Sequence, residues 1–148
     1  DRKEIDKRLD VATFTSPPLS KELYLEGNPS INLIVNSNSK GFDLCIALSI
    51  INKNKTKAQQ ISTGFLRVRG EEAQRSLSRT IHLQPICASL EAKEHIRISI
   101  SGSSWPAIGI NPGRDGMLAE APTPHCLITT IFLDLEESIF DVEPLFSK

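Results

Sequence analysis

The chain of 148 residues is long enough for one compact domain with its own core. Its formal net charge is −1, so no basic excess points to nucleic acid or to an anionic membrane as a partner. It contains no run of about 18 apolar residues, which excludes a transmembrane helix. The charged residues 1–9 are followed by no long apolar stretch, so we expect no secretory signal.

The three cysteines, Cys45, Cys87 and Cys126, lie far apart in the sequence. No C-x-x-C pair is present, which argues against a zinc ribbon or a redox motif. Cys45 and Cys126 lie within apolar runs, a position typical of buried thiols in a reducing compartment. We therefore expect a cytoplasmic protein, with one disulfide as the less favoured alternative.

The first half of the chain predicts short strands separated by turn residues. A strand over residues 10–15 ends at Ser16-Pro17-Pro18, because proline cannot donate to a strand ladder. Gly27-Asn28-Pro29 predicts a turn, and residues 31–35 then alternate between apolar and polar. Residues 42–51 are the most apolar segment, and their Ile and Ser content favours a strand over a short helix. One face of this strand would carry Leu44, Ile46, Leu48 and Ile50, and the opposite face Cys45, Ala47 and Ser49.

The second half continues in the same way. In the strand predicted over 61–69, the isolated Gly64 indicates a bulge or a close backbone approach. Residues 70–77 alone have helical character, enough for one or two turns. Arg67 and Arg97 are expected to pair with carboxylates that the sequence does not identify. Further strands are predicted over 79–83, 96–101, 125–133 and 138–142, with 84–90 as a connection.

The strand over 96–101 ends in a loop rich in glycine and proline that carries the only tryptophan, Trp105. Such a loop can present a surface to a partner, or it can simply cover the end of its own core. The residues themselves leave both alternatives open.

About eight short strands with almost no helix predict an all-β fold, an antiparallel β-sandwich or jelly roll, with a barrel as the alternative. We expect residues 10–148 to form this single domain. Residues 1–9 would be a linker or lead-in.

The chain has no motif of a self-contained active site. Gly109 and Gly113 are spaced as in Gly-x-Ser-x-Gly, but Asn111 stands where the nucleophilic serine would be. The histidines are isolated from one another and form no i, i+4 pair for a metal. We therefore expect no catalytic residue, no metal and no cofactor in this chain. The histidines concerned are His82, His95 and His125.

Several segments together carry a family resemblance. They are Arg8 to Leu19, with its Pro-Pro-Leu ending, Leu23 to Val35, Phe42 to Leu48, Gly64 to Arg69, and Ile96 to Ser101 followed by Trp105-Pro106 and Asn111-Pro112. In their order and spacing they resemble the C-terminal non-catalytic β domain of X-prolyl dipeptidyl-peptidases and cocaine-esterase-like (CocE/NonD) serine hydrolases. The chain departs from that pattern at Lys93 and Glu94, where the family usually has Gly-His.

The resemblance implies a jelly-roll β-sandwich of the galactose-binding-domain-like type. It also implies a larger serine hydrolase whose upstream α/β-hydrolase domain carries a Ser-His-Asp triad and cleaves X-Pro peptides or acyl esters. All triad residues would lie outside this chain. The β domain would pack on that catalytic domain and shape its substrate entrance. The candidate docking residues are Trp105, Pro106, Ile108, Ile110 and Asn111, since aromatic and apolar side chains anchor interfaces.

Two other function classes stay open beside this favoured one. A carbohydrate-binding module is compatible with the jelly-roll class, although one Trp and one Tyr provide little aromatic platform. An oligomerisation domain, including a homodimer, is the other alternative. Fold alone does not choose among them.

Overall fold

The computed structural model describes residues 1–104, 106–113 and 128–143. Within these ranges the regular structure consists of eight strands and two short 3₁₀ turns, Ile5–Lys7 and Glu71–Gln74. No helix in this part of the chain has the length and apolar character needed to cross a membrane. The strands are β1 (Val11–Thr15), β2 (Leu23–Ser37), β3 (Gly41–Ile51), β4 (Ala58–Arg69), β5 (Leu77–His82), β6 (Ile86–Leu90), β7 (His95–Ser101) and β8 (Ile131–Glu143).

These strands form two antiparallel sheets. Sheet 1 has the order β1-β7-β3-β4, and sheet 2 is built around β2, which pairs with β5, β6 and β8. The predicted all-β sandwich with about eight antiparallel strands and little helix is therefore confirmed. The connection 38–40 carries the chain from β2 in sheet 2 to β3 in sheet 1, and the buried apolar side chains of these two strands belong to one core cluster.

The core forms between these two strands. Alternate residues of β2 and β3 point inward, as the period-two pattern predicts, and each is at most 5% exposed. Burial of one such side chain contributes roughly 1.5–3 kcal/mol, so these inward-facing residues together contribute substantially to stability. The inward residues are Ile31, Leu33, Val35, Phe42, Leu44, Ile46 and Leu48.

The two sheets join at Gly64 of β4. Gly64 forms an isolated bridge with Leu83, and the Gln84 amide donates to the Thr63 carbonyl at 2.9 Å. A Cβ atom on Gly64 would lie 2.8 Å from the His82 carbonyl oxygen. The predicted close backbone approach is thus confirmed, and it links β4 to the segment that leaves β5.

The predicted turn at Gly27-Asn28-Pro29 was wrong. β2 continues through these residues as one strand of 15 residues. Its pairing partner changes here, from β6 over residues 23–27 to β5 over residues 30–35. Pro29, which has no amide hydrogen, therefore lies where pairing with β6 has ended and pairing with β5 has not yet begun. A missing hydrogen-bond donor destabilises the sheet little at this position.

Two further predictions need correction. Residues 84–90 include a strand, β6, whose inward-facing Ile86 and Leu90 are buried at 4% and 0% exposure. β8 begins at Ile131 and continues to Glu143, so the separate strands predicted over 125–133 and 138–142 are one. Residues 125–127 lie outside the described residues.

The N-terminal segment lies against sheet 1. The Arg2 amide donates to the Ala58 carbonyl at 2.8 Å, at the start of β4. The Asp6 side chain is only 2% exposed and lies between Arg2 at 3.2 Å and Arg97 of β7 at 3.4 Å. This gives Arg97 the carboxylate partner that was expected for it, and it fixes residues 1–9 on the outer face of the sheet.

Candidate functional site, a rigid loop on the outer face of sheet 1

A buried ion pair underlies the loop that was predicted to dock on a partner. Asp43 on β3 lies opposite Arg67 on β4 in the strand register. The Arg67 Nε and Nη2 atoms donate to the two Asp43 carboxylate oxygens at 2.8 and 2.6 Å. The Asp43 side chain is 2% exposed and that of Arg67 is 15% exposed. Such a two-point, charge-assisted contact fixes the guanidinium in one orientation.

The loop is tied to this ion pair at two points. Asn111 Nδ2 donates to Asp43 Oδ1 at 2.8 Å, and the Arg67 guanidinium also donates to the Gly109 carbonyl. Asn111 Oδ1 accepts the Gly113 amide at 3.0 Å. One carboxylate therefore organises both the strand pair and the loop 106–113.

Two glycines allow the loop to close so tightly over the sheet. A Cβ atom on Gly41 would lie 2.9 Å from Asn111 Oδ1, so a side chain there would push the asparagine away. Gly113 has φ +73°, in the left-handed region that glycine adopts without strain. The Asn-Pro-Gly end of the loop is thus accounted for by local geometry.

The predicted docking residues occupy different environments in this loop. Ile110 is 63% exposed and Pro106 is also exposed, so both are available to a partner. Ile108 is half-buried and faces a neighbouring cleft. Asn111 is half-buried and its side-chain amide bonds inward, to Asp43 and Gly113. Trp105 lies outside the described residues.

The cleft beside the loop has a volume of about 890 Å³. β3 and β4 contribute Cys45, Thr63 and Phe65 to its lining. Ile5 of the N-terminal segment and Ile108 of the loop also line it. Phe65 is 39% exposed and Ile5 is 47% exposed, so the cleft and the loop together form one partly apolar surface.

The thiol in this cleft is not activated. Burial, followed by the nearby Asp43 carboxylate, raises the pKa of the Cys45 thiol to about 11, although the charge of Arg67 acts in the opposite direction. At neutral pH Cys45 therefore remains protonated, and a protonated thiol is a poor nucleophile. The hydrogen bond to Asp43 raises the pKa of Arg67, which keeps that guanidinium charged.

The polar groups of the site are engaged in holding the loop. Asp43, Arg67 and Asn111 bond to one another and to the backbone, an arrangement that fixes geometry rather than moving protons. In the ranges that the structure describes, no three His, Cys, Asp or Glu side chains come together as metal ligands. What the arrangement can do chemically is to hold an apolar surface in a fixed position.

Asp43 was not among the predicted site residues. The sequence gives one signal for it, a single carboxylate inside the most apolar strand, and it also predicts that Arg67 needs a partner. Joining the two requires the register of β3 against β4, which places residues 24 positions apart side by side.

The chain is similar to a known protein family. Residues 2–130 match the model of the X-Pro dipeptidyl-peptidase C-terminal non-catalytic domain. Among curated proteins no significant sequence match was found.

Solved structures share the fold at low sequence identity. An aminopeptidase from the marine sediment archaeon Thaumarchaeota archaeon is 18% identical, with a TM-score of 0.75 over 82% of this chain and 23% of its own. An α-amino acid ester hydrolase is also 18% identical, with a TM-score of 0.71 over 78% of this chain and 22% of its own. A CocE/NonD family hydrolase from Staphylococcus aureus is 19% identical, with a TM-score of 0.51 over 72% of this chain and 25% of its own.

The chain thus spans about a quarter of the length of these three hydrolases. The family match covers most of its residues and agrees with the sandwich fold. The chain belongs to the X-Pro dipeptidyl-peptidase C-terminal non-catalytic domain family.

Proposed function

We propose that this domain packs on the α/β-hydrolase catalytic domain of a larger serine hydrolase and shapes its substrate entrance. The observation that carries the proposal is the loop 106–113, which the buried Asp43 carboxylate holds in place while Ile110 stays 63% exposed. An exposed apolar side chain that is already held in a fixed position can serve as an anchor when a partner covers it.

The neighbourhood of Ile110 supports docking. Phe65 and Ile5 provide further exposed apolar area at the cleft beside the loop. Because the loop is already ordered by Asp43 and Asn111, binding a partner requires little additional loss of conformational entropy. A rigid apolar loop next to a cleft is therefore well suited to form one wall of an entrance.

The chemistry of the larger protein is proposed as hydrolysis of X-Pro peptides or acyl esters through a serine ester. The aminopeptidase and the ester hydrolase that share this fold support both substrate classes. We test them by measuring hydrolysis of an X-Pro p-nitroanilide and a short p-nitrophenyl ester. The chain alone and a longer product that includes upstream coding sequence are assayed side by side. We expect the chain alone to be inert and the longer protein to be active, with the preferred substrate identifying the class.

A pair of variants of the longer protein tests the role of the loop. Ile110→Ser removes the proposed anchor, which is 63% exposed. Ile139→Ser is the matched control, because it removes an isoleucine of sheet 2 that is 62% exposed. We expect the first to alter KM by several-fold and the second to leave it unchanged. Turnover by the chain alone, or equal effects of the two variants, would contradict the proposal.

A second candidate function, carbohydrate binding, is favoured only by the cleft of about 890 Å³, whose lining includes Phe65, Gln60 and Gln84. Calorimetric titration with galactose and with short oligosaccharides tests it, and measurable binding that is lost in Phe65→Ala would support it. An oligomerisation role predicts a concentration-dependent mass in sedimentation.

We propose a jelly roll of the galactose-binding-like type over residues 10–148, with residues 1–9 leading in from the catalytic domain. The cytoplasm is the proposed location, supported by the free thiols of Cys45 and Cys87.

A further inference from the structure

Strand β8 carries an exposed apolar surface that the docking proposal does not use. It begins at Ile131, directly after the 2–130 segment that matches the family. Phe132 and Leu135 are each 53% exposed, and Ile139 is 62% exposed. Single exposed apolar residues are ordinary, but three large ones within eight residues of one strand form a patch.

A bulge brings this patch outward. Asp134 pairs with Ile34 and Ile139 pairs with Asn32, so β8 advances five residues while β2 advances two. The Glu136 amide donates to Asp134 Oδ1 at 3.1 Å, and the Ser138 hydroxyl donates to the Asp134 carbonyl. These contacts order the bulge and leave its residues 135–137 exposed to solvent.

The same strand concentrates negative charge. Residues 131–143 contain five carboxylates and no lysine or arginine, a formal charge of −5. Since the whole chain carries −1, the rest carries −1 − (−5) = +4. The carboxylates of Glu136 and Glu137 are exposed and have no ion-pair partner among the described residues. The five are Asp134, Glu136, Glu137, Asp141 and Glu143.

We propose that this surface, the acidic strip, binds an extended protein segment in which basic side chains alternate with apolar ones. The strip consists of Phe132, Asp134, Leu135, Glu136, Glu137 and Ile139. Within the described part of the chain β8 pairs with β2 alone, so the segment adds along the other edge of β8. Backbone hydrogen bonds along that edge provide affinity. Successive side chains of the segment point to opposite faces of the sheet, so its basic side chains lie on the outer face with Phe132, Asp134 and Ile139, while its apolar side chains lie on the inner face.

A second copy of this chain does not fit the strip. Pairing β8 with its own copy would bring exposed acidic residues of one strand, including Asp134, Glu136 and Glu137, next to those of the other. Like charges opposite each other on paired strands are destabilising. The acidic residues therefore discriminate against self-association while they attract a basic partner.

The experiment uses a nine-residue peptide of alternating lysine and valine, a glutamate–valine peptide of the same length, and the full chain. Calorimetry should detect binding of the lysine–valine peptide and no binding of the glutamate–valine peptide. The affinity should fall at least about ten-fold as salt rises from 50 to 500 mM, because the charges are screened. Glu136→Lys/Glu137→Lys should abolish this binding, and Ile139→Ser should weaken it several-fold. Ile110→Ser, on the other sheet, should leave it unchanged, which separates this proposal from the docking of the catalytic domain.

A further probe tests the edge geometry. A lysine–valine peptide methylated at every backbone nitrogen keeps its charge but has no amide hydrogen to donate along either edge, so it should bind at least about ten-fold more weakly. Equal binding of the methylated peptide, equal binding of the glutamate peptide, or binding of neither would overturn the proposal. A homodimer in sedimentation that Ile139→Ser dissociates would also overturn it, by identifying a second copy as the occupant.

Discussion

The Asp43 carboxylate accepts two hydrogen bonds from the Arg67 guanidinium and a third from the Asn111 side chain. A buried charge in this position joins two neighbouring strands and the loop that follows a third. Because Arg67 and Asn111, the two side chains that hold the loop, both bond to Asp43, we expect the position of the loop to depend on this carboxylate.

Removing that carboxylate should therefore be costly. In Asp43→Ala the largely buried Arg67 charge loses its carboxylate partner, which costs about 3–5 kcal/mol. We expect a lower urea midpoint with an unchanged slope. Asp10→Ala breaks the exposed pair with Arg8, whose side chains are 56% and 61% exposed, and should leave the midpoint unchanged. Equal losses in the two variants would show that the Asp43 pair has no special structural role.

The loop itself should respond to Asn111. In Asn111→Ala the Gly113 amide loses its acceptor and Asp43 loses a donor, a loss of about 1–3 kcal/mol. Hydrogen exchange at Gly113 should accelerate in step with this loss. Ile110→Ala, which removes an exposed side chain from the same loop, serves as the control with a change within about 0.5 kcal/mol. Unchanged exchange at Gly113 would contradict the anchoring role.

The seam between the sheets, where Gly64 of β4 meets Leu83, should tolerate no side chain at residue 64. Gly64→Ala places a methyl group 2.8 Å from the His82 carbonyl and should destabilise the fold by about 1–3 kcal/mol. Gly109→Ala is its matched control, because a Cβ atom there meets nothing within 4 Å. Thermal denaturation distinguishes them, and a Gly64→Ala protein as stable as the wild type would show that the seam adjusts freely.

The cysteines should differ in reactivity and in pH dependence. With its pKa near 11 instead of 9.0, the Cys45 thiol is about a hundred-fold less ionised at pH 8 than an ordinary one. In a Cys126→Ser background we expect iodoacetamide to modify the exposed Cys87 first. Modification of Cys45 should accelerate as the pH rises toward 11, since only the thiolate reacts. Rapid labelling of Cys45 at pH 7 would mean that its site is open and solvated.

Local sequence pattern predicts much of this fold correctly. The apolar alternation of residues 42–51 identifies a core strand, since the side-chain period of a strand is visible without knowing its partners. Gly64 is a second local signal, because only a residue without a Cβ atom allows another backbone to approach so closely. The exposed position of Ile110 in a loop rich in glycine and proline is likewise a local property.

The errors arise where pairing overrides local pattern. Gly27 and Pro29 carry turn signals, yet β2 passes through them because two different strands support its two halves. The 86–90 strand is missed since its short pattern becomes stable only when paired with β2. The Asp43–Arg67 contact depends on register across a sheet, which composition and spacing do not encode.

The docking claim is tested most directly by the accessibility of residue 110. Ile110→Cys in a background without the three native cysteines is labelled with maleimide in the chain alone and in the longer protein. Lys57→Cys, at an exposed turn, is the control. We predict that residue 110 is labelled at least about ten-fold more slowly in the longer protein, as expected for an anchor buried at an interface, while residue 57 is labelled equally in both. Equal labelling of residue 110 in the two proteins would contradict docking through this loop.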